Sequence, residues 1–334
     1  MKAILLRNDF DHALKIDEED TLVMVNHIRG ALESSGISTV DFPVNFENLR
    51  SLRRLNADLF FNIVEDEEWV LSVRVAKTLD LLGKPVVGSS YDSLRASVSK
   101  VAAKRRLIAH DLPTPRFQFF ESEDARLDAK MKYPLIVKPE SEHAGIGIAQ
   151  ASVVKDTLEL KSRLEFVLSS YPGRAVVEEY IEGREIHATV VGNGKRLDVW
   201  PLSEYKFESA GWGIYSYDAK WDESSSEYKG VKLESPALLD LGTRLKIEKL
   251  AKEAFIAFGC RDYVRFDMRV RGKDVYILDI NVNPSLTQEE FDATWSSAQA
   301  LGLDYGKMIE TLVSVATRRF REEASISTSL FLAP

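Results

Sequence analysis

YVRFDMRVRGKDVYILDIN, residues 263–281, is the stretch on which the reading of this chain turns. Both halves alternate between apolar and polar side chains, and RGKD between them has the composition of a turn. Side chains repeat every two residues along a strand. Arg265, Asp267 and Arg269 therefore share one face of the first strand, and Asp279 and Asn281 share a face with Val275 and Ile277 on the second. A loop with an odd residue count, such as 271–273, turns both acidic faces the same way and sets Arg265 opposite Asp279. An even loop without a bulge puts them on opposite faces. If they meet, two carboxylates and an amide oxygen form a set of hard oxygen ligands suited to Mg²⁺, which takes few protein ligands and completes its shell with water and phosphate. The alternative is a solvated sheet face on which Asp267 and Asp279 pair with Arg265 and Arg269. YILDINVNPS (276–285) weighs against it, because a carboxylate flanked by Ile, Leu and Ile is destabilising unless compensated.

Upstream lie further candidates. Lys138 ends the apolar strand LIVK just before Pro139, where it can meet a phosphate as a point charge. SEHAGIGIA (141–149) carries Gly145 and Gly147, whose missing Cβ lets backbone N–H groups approach phosphate oxygens. No Gly-Lys-Ser/Thr follows, so this is not a Walker loop, and a plain hairpin is the alternative. Glu178 and Glu179 follow the apolar AVV, and Glu185 opens a new strand after IEGR. Such a hinge can offer backbone groups to an adenine and a carboxylate to a ribose; a solvated acidic turn is the competing reading. Lys220, in YSYDAKW, can close a cation over a transferring phosphoryl group. His143 and His187 have no paired nucleophile and read as non-catalytic.

The 334-residue length fits about two domains or three small lobes. A formal charge of −8 argues against general nucleic-acid or anionic-membrane binding. Cys260 is the single cysteine, which excludes an intramolecular disulfide and a cysteine-based zinc site and fits a cytoplasmic protein. The N-terminus turns polar too soon for a signal peptide, and no run approaches the roughly 20 apolar residues that span a bilayer. Strands at 2–9, 57–66 and 84–90 alternate with helices at 21–36 and 68–83, which predicts an α/β lobe with a mainly parallel sheet. A helix over 94–110 is ended by DLPTPRF. A smaller lobe follows, with strands at 133–140 and 174–181 around a helix near 155–170. Then come strands at 184–192 and 196–202, a helix at 237–258, the hairpin, and a helix at 304–322 with a polar tail. The stretch 203–235 is long for a loop and reads as a functional lid.

Taken together these motifs resemble the D-alanine–D-alanine ligase branch of the ATP-grasp family, in order and spacing, from about Pro85 to Thr287. GSSYDSLRASVSKVAAKRRLIAHDLPTP is similar to the segment with that family's first ATP-binding lysine, which falls on Lys100. IVKP carries the second, Lys138. VVEEYIEGRE resembles the adenine hinge, with Glu178, Glu179 and Ile181 at the base and Glu185 at the ribose. YSYDAKW resembles the omega loop, which implies that Lys220 contacts phosphate. RFD and LDIN resemble the arginine and metal motifs. They imply Arg265 as the oxyanion stabiliser and Asp267, Asp279 and Asn281 as ligands of two Mg²⁺, with Mn²⁺ as a substitute.

The resemblance implies a three-lobed ATP-grasp fold: an N-terminal α/β lobe (1–93), a central lobe (94–182), a C-terminal metal lobe (183–325) and a tail (326–334), with ATP between the last two lobes. It also implies a homodimer. The substrate half departs from the pattern. LLRNDFDH replaces a glycine-rich stretch bearing the glutamate that holds the first D-alanine's ammonium, leaving Asp9 or Asp11 as possible substitutes. Ala144 stands where that family has a substrate-touching serine, Trp221 for a tyrosine, Asp279 for a glutamate, and Ser285 for a glycine. Glu290-Phe291 replaces a serine-leucine pair that receives a carboxylate. The expectation is an ATP-dependent ligase that forms an amide through an acyl phosphate, joining an amino-acid-like amine to a carboxylate in specialised biosynthesis. The alternatives are a true D-alanine–D-alanine ligase and a non-catalytic nucleotide-binding protein.

Overall fold

The computed structural model describes residues 1–10, 14–66, 69–140, 142–209 and 211–331. Its first unit follows from strands apolar on both faces. β1 (Lys2–Asn8), β2 (Ser38–Val44), β3 (Leu59–Asn62) and β4 (Val86–Val87) form a parallel sheet in the order β2-β1-β3-β4. Ala3 and Leu5 of β1 pack with α1 (Ile16–Ser34), while Ile4 and Leu6 pack with α2 (Val70–Asp80) on the other face. Both faces are covered, as parallel sheets require. β2 is not apparent in the sequence because STVDFPV holds Pro43, which argues against a strand anywhere but at a sheet edge.

The predicted single helix over 94–110 is two: α3 (Tyr91–Ser97) and α4 (Lys100–Ala109). Ser99 breaks the run and caps α4, its hydroxyl accepting from Ala102 N at 3.2 Å. Lys100 consequently begins a helix. The second sheet runs β5-β8-β6-β7, antiparallel throughout, from β5 (Phe117–Phe120), β6 (Leu135–Pro139), β7 (Val153–Val154) and β8 (Ala175–Glu179). α5 (Thr157–Ser170), capped by Asp156, lays Leu160, Leu164 and Val167 on it.

The third sheet has the order β12-β11-β9-β13-β14, with β10 also on β9. Its long central strand is β9 (Arg184–Asn193), followed by β10 (Arg196–Val199) and β11 (Ser203–Phe207). The stretch 203–235 is not one loop. It holds β11, the short helices α6 (Tyr217–Trp221) and α7 (Ser226–Lys229), and β12 (Val231–Glu234). α8 (Leu241–Ala257) covers one face of the sheet, against Val264, Phe266 and Met268 of β13 (Asp262–Arg271) and Ile277 and Ile280 of β14 (Asp274–Asn281). α9 (Ala293–Ala300) and α10 (Tyr305–Phe331) complete the chain. α10 runs past the predicted end at 322, and Met308, Ile309 and Leu312 on it join the first sheet to Val191 and Tyr263 of the third. No helix among the described residues is long and apolar enough to cross a membrane.

Candidate active site

The hairpin turn is even, not odd. Arg271 pairs with Asp274 across the two residues Gly272 and Lys273, and Gly272 takes a φ of +60°. That parity alone would oppose the two acidic faces. A β-bulge at Leu278 restores it: Met268 pairs with Ile277, but Asp267 pairs with Asp279 and Arg265 with Asn281. One face of the third sheet thus presents Arg265, Asp267, Asp279 and Asn281. The ladder to β9 adds Glu185 and His187, which sit opposite Arg269 and Asp267.

Arg265 grips Asp267 with two bonds, Nε to Oδ1 at 2.7 Å and Nη2 to Oδ2 at 3.1 Å, and Asn281 Nδ2 donates to Oδ2 at 2.9 Å. Burial works against the Asp267 charge, but Arg265 and then His187 outweigh it and hold the carboxyl below its ordinary range. At Asp279 burial is likewise overcome, chiefly by Lys100. Both acids are therefore anionic at neutral pH, and the Asn281 amide oxygen takes no part in the bond to Asp267. This donor set fits a hard divalent cation. Among the described residues no three His, Cys, Asp or Glu side chains are grouped to hold a metal alone, so a cation here needs Asn281 and oxygens of a bound ligand as well.

Beside these acids lies a cavity of about 580 Å³. Lys100, Lys138, Ala144, Gly145, Glu178, Glu179, Ile181, Glu185, Lys220, Trp221, Arg265, Asp267, Asp279, Asn281, Ser285 and Glu290 all line it. Gly147 does not. A Cβ there would fall 2.6 Å from Pro139 Cγ, so this glycine serves packing at a φ of +72° rather than a ligand. A Cβ at Gly145 would meet the lid backbone, 3.4 Å from Ser216 O and Tyr217 N. The glycine loop and the lid are already latched: Trp221 Nε1 donates to Ala144 O at 3.0 Å and Tyr217 N to Ile148 O at 2.9 Å. Lys220 Nζ lies 4.4 Å from the Trp221 ring centroid. Burial lowers its pKa, with Asp20 opposing.

Glu178 is buried and points away from solvent, with Oε2 3.2 Å from Lys104 Nζ and 3.5 Å from Lys138 Nζ. It braces two cations under the cavity wall. Lys104 was not apparent as a site residue, although it lies one helical turn beyond Lys100, on the same face of α4. Lys100 Nζ donates to the carbonyls of Glu140 and Glu142. Glu185 is not free for a sugar hydroxyl on both oxygens: Arg269 holds Oε2 at 2.7 Å and His187 Nε2 lies 3.4 Å from Oε1. Its pKa falls to about 2, because Arg269 and His187 overcome burial. His187 Nδ1 is 3.3 Å from Asp267 Oδ1 without hydrogen-bond geometry. Period-two alternation in REIHATV carries the signal for this histidine, which links the hinge acid to the metal-type acid.

A second cavity of about 820 Å³ opens toward the first sheet and is walled by Asp9, Phe46, Asp66 and Trp69 among others. Lys220, Trp221, Arg265, Asn281, Ser285, His143 and Ala144 are shared by both cavities and form the seam between them. Asp9 accepts from Asn45 Nδ2 at 2.8 Å, whereas Asp11 lies outside the described residues. Glu290 is exposed, and Phe291 stacks edge-on against Tyr228 at 5.5 Å.

Residues 107–314 match the family model described as the D-ala D-ala ligase C-terminus. The D-alanine–D-alanine ligase of Desulforudis audaxviator is 28% identical over 92% of this chain and 96% of its own length. That of a Bacillus anthracis strain is 30% identical over 75% of this chain and 77% of its own. A crystal structure of a D-alanine–D-alanine ligase from Bacillus anthracis superposes with a TM-score of 0.75 at 23% identity, covering 96% of this chain and 99% of that one, which speaks for the fold. With the paired acids, the cation cluster and the latched lid on one cavity, these matches make the protein an enzyme that forms C–N bonds, a member of the D-alanine–D-alanine ligase family of ATP-grasp carboxylate–amine ligases.

Proposed function

We propose that the enzyme is a D-alanine–D-alanine ligase, using ATP and Mg²⁺. One observation carries this reading over the specialised biosynthetic ligase expected from the substrate-half departures: the similarity to the Desulforudis audaxviator ligase runs through 96% of that protein, not its nucleotide half alone. Lys100 and Lys138 hold the triphosphate as point charges over the brace of Glu178 and Lys104. Asp267, Asp279 and Asn281 hold the metal, which neutralises phosphate charge when bound. At the seam the donor carboxylate attacks the γ-phosphorus and ADP leaves. Lys220, on the lid, steadies the transferring group. The acceptor amine then attacks the acyl carbon, phosphate departs, and Arg265 balances the oxyanion. The Trp221–Ala144 latch keeps water from the acyl phosphate.

A second reading concerns the acceptor alone. Glu290, Glu289 and Glu223 surround Tyr228, whose pKa rises through burial and these charges. A carboxylate-bearing acceptor is repelled there, which favours an amine other than D-alanine. Phosphate release from ATP, with mass detection of product across single and paired D- and L-amino acids, tests both. D-alanine alone yielding its dipeptide supports the main reading; turnover only when an amine without a carboxylate is added moves the assignment to the second.

A further inference from the structure

His143 carries an acceptor that nothing in the fold uses. Its ring packs edge-on against Trp69, with centroids 4.6 Å apart. The Val98 backbone beside the ring opposes the fall in its pKa only slightly. Nε2 is buried and has no partner. In the tautomer that carries its proton on Nδ1, an imidazole presents a lone pair at Nε2. Burial, reinforced by Lys100, lowers the pKa to about 3, so the ring is neutral at working pH. Leaving such an acceptor unsatisfied is destabilising, and an orphan of this kind calls for an explanation.

Its position supplies one. Among the described residues, His143 Nε2 is the one unpartnered buried side-chain atom on a residue that lines both cavities. The two carboxylates at the same seam, Asp20 and Glu142, are already engaged. The seam also holds Lys220 and Arg265, the cations that face a reacting carboxylate. An α-amino acid seated with its carboxylate there has its ammonium two bonds away, within the same seam. Trp69, which carries the ring, adopts a φ of +59°, a left-handed conformation that a tryptophan rarely takes. The strained backbone places the indole against His143 and fixes the imidazole plane.

We propose that His143 Nε2 accepts a hydrogen bond from the ammonium of the amino acid whose carboxylate is activated. This rests on the ligase reading above and adds to it the group that makes the donor an amino acid rather than a simple acid.

The test compares three variants by ADP formation, with D-alanine and with D-lactate, its hydroxy analogue, as donor. His143→Ala raises the donor KM between about ten- and one-hundred-fold, the range of a hydrogen bond to a charged group, and loses preference for D-alanine over D-lactate. His143→Phe keeps the stacking on Trp69 without the acceptor and behaves like alanine. His143→Gln restores an acceptor and recovers most of the preference. Mg-ATP affinity is unchanged in all three. A phenylalanine variant with wild-type KM and preference overturns the proposal. Turnover of another amino acid but not D-alanine overturns only the D-alanine assignment, and the variants are then compared on that amino acid and its hydroxy analogue. Absence of turnover with every amino acid overturns both.

Discussion

Replacing Glu178 by glutamine removes one charge from beneath the nucleotide cavity and leaves the shape. The side chain is 1% exposed, and it faces Lys104, itself 2% exposed, and Lys138. Deleting one partner of a buried ion pair costs about 3–5 kcal/mol, because the remaining charge stays desolvated. At about 2–4 °C per kcal/mol, that lowers Tm by about 6–20 °C. Deprotonation of Lys104, whose pKa burial already lowers, sets the smaller end of this range. The pH dependence has a definite sign. Burial alone would raise the Glu178 pKa, but Lys104 and Lys138 hold it below the ordinary value. A depressed carboxyl stabilises the fold above its unfolded pKa, about 4.3, and loses that contribution as pH falls through the folded value. The gap between wild type and Glu178→Gln is therefore full at pH 7 and closes below about pH 4. Thermal unfolding at both pH values measures it. A gap under about 2 °C at pH 7, or one that does not narrow in acid, refutes the brace.

Three other substitutions probe separate parts of the site. Asp279→Asn should raise the Mg²⁺ concentration for half-maximal ADP formation by about tenfold or more, and an unchanged Mg²⁺ titration would remove Asp279 from the metal set. Trp221→Phe deletes the 3.0 Å bond to Ala144 O and should raise ATP hydrolysis without dipeptide about fivefold, read as the ratio of ADP to product. Gly147→Ala should lower stability by about 1–3 kcal/mol in a chemical denaturation curve, since the Cβ meets Pro139 Cγ at 2.6 Å and φ is +72°. The same change at Gly145, where φ is +80° but a Cβ would find its nearest atoms at 3.4 Å, should cost less stability than at Gly147 and lower turnover as well.

The parts of this molecule that alternate or repeat were legible in the sequence. YVRFDMRV announces its faces through period two, but DVYILDIN does so only up to the bulge at Leu278, beyond which Asp279 and Asn281 leave the face of Val275 and Ile277; the helices over α2 and α5 were legible as well. The placement of Lys138 at the mouth of LIVK follows from the same logic. What escaped depends on contacts between distant segments. β2 is hidden because Pro43 reads against a strand, and only its edge position tolerates it. The break between α3 and α4 rests on one serine cap. Lys104 reads as a surface lysine until Glu178 arrives from another strand. The Arg269–Glu185–His187 chain exists only because β9 pairs with β13. Glu178 and Gly147 were read as an adenine-hinge acid and a phosphate-loop glycine but carry other burdens, one a counter-charge and the other a close approach to proline.

The extra residue at Leu278 has a further consequence. Its carbonyl, out of step with the ladder, lies 3.4 Å from Lys104 Nζ and ties the hairpin to α4. More generally, it makes chain length a variable that this site can absorb in one place. Deleting Leu278 would leave Asp267 facing Asp279 on an unbroken ladder. Flattening the bulge without losing a residue would instead set Asp279 opposite Phe266 and turn the acid inward. In a lineage of such enzymes, insertions and deletions in this hairpin are therefore confined to changes that preserve phase, much as a coding sequence tolerates only those that keep its frame.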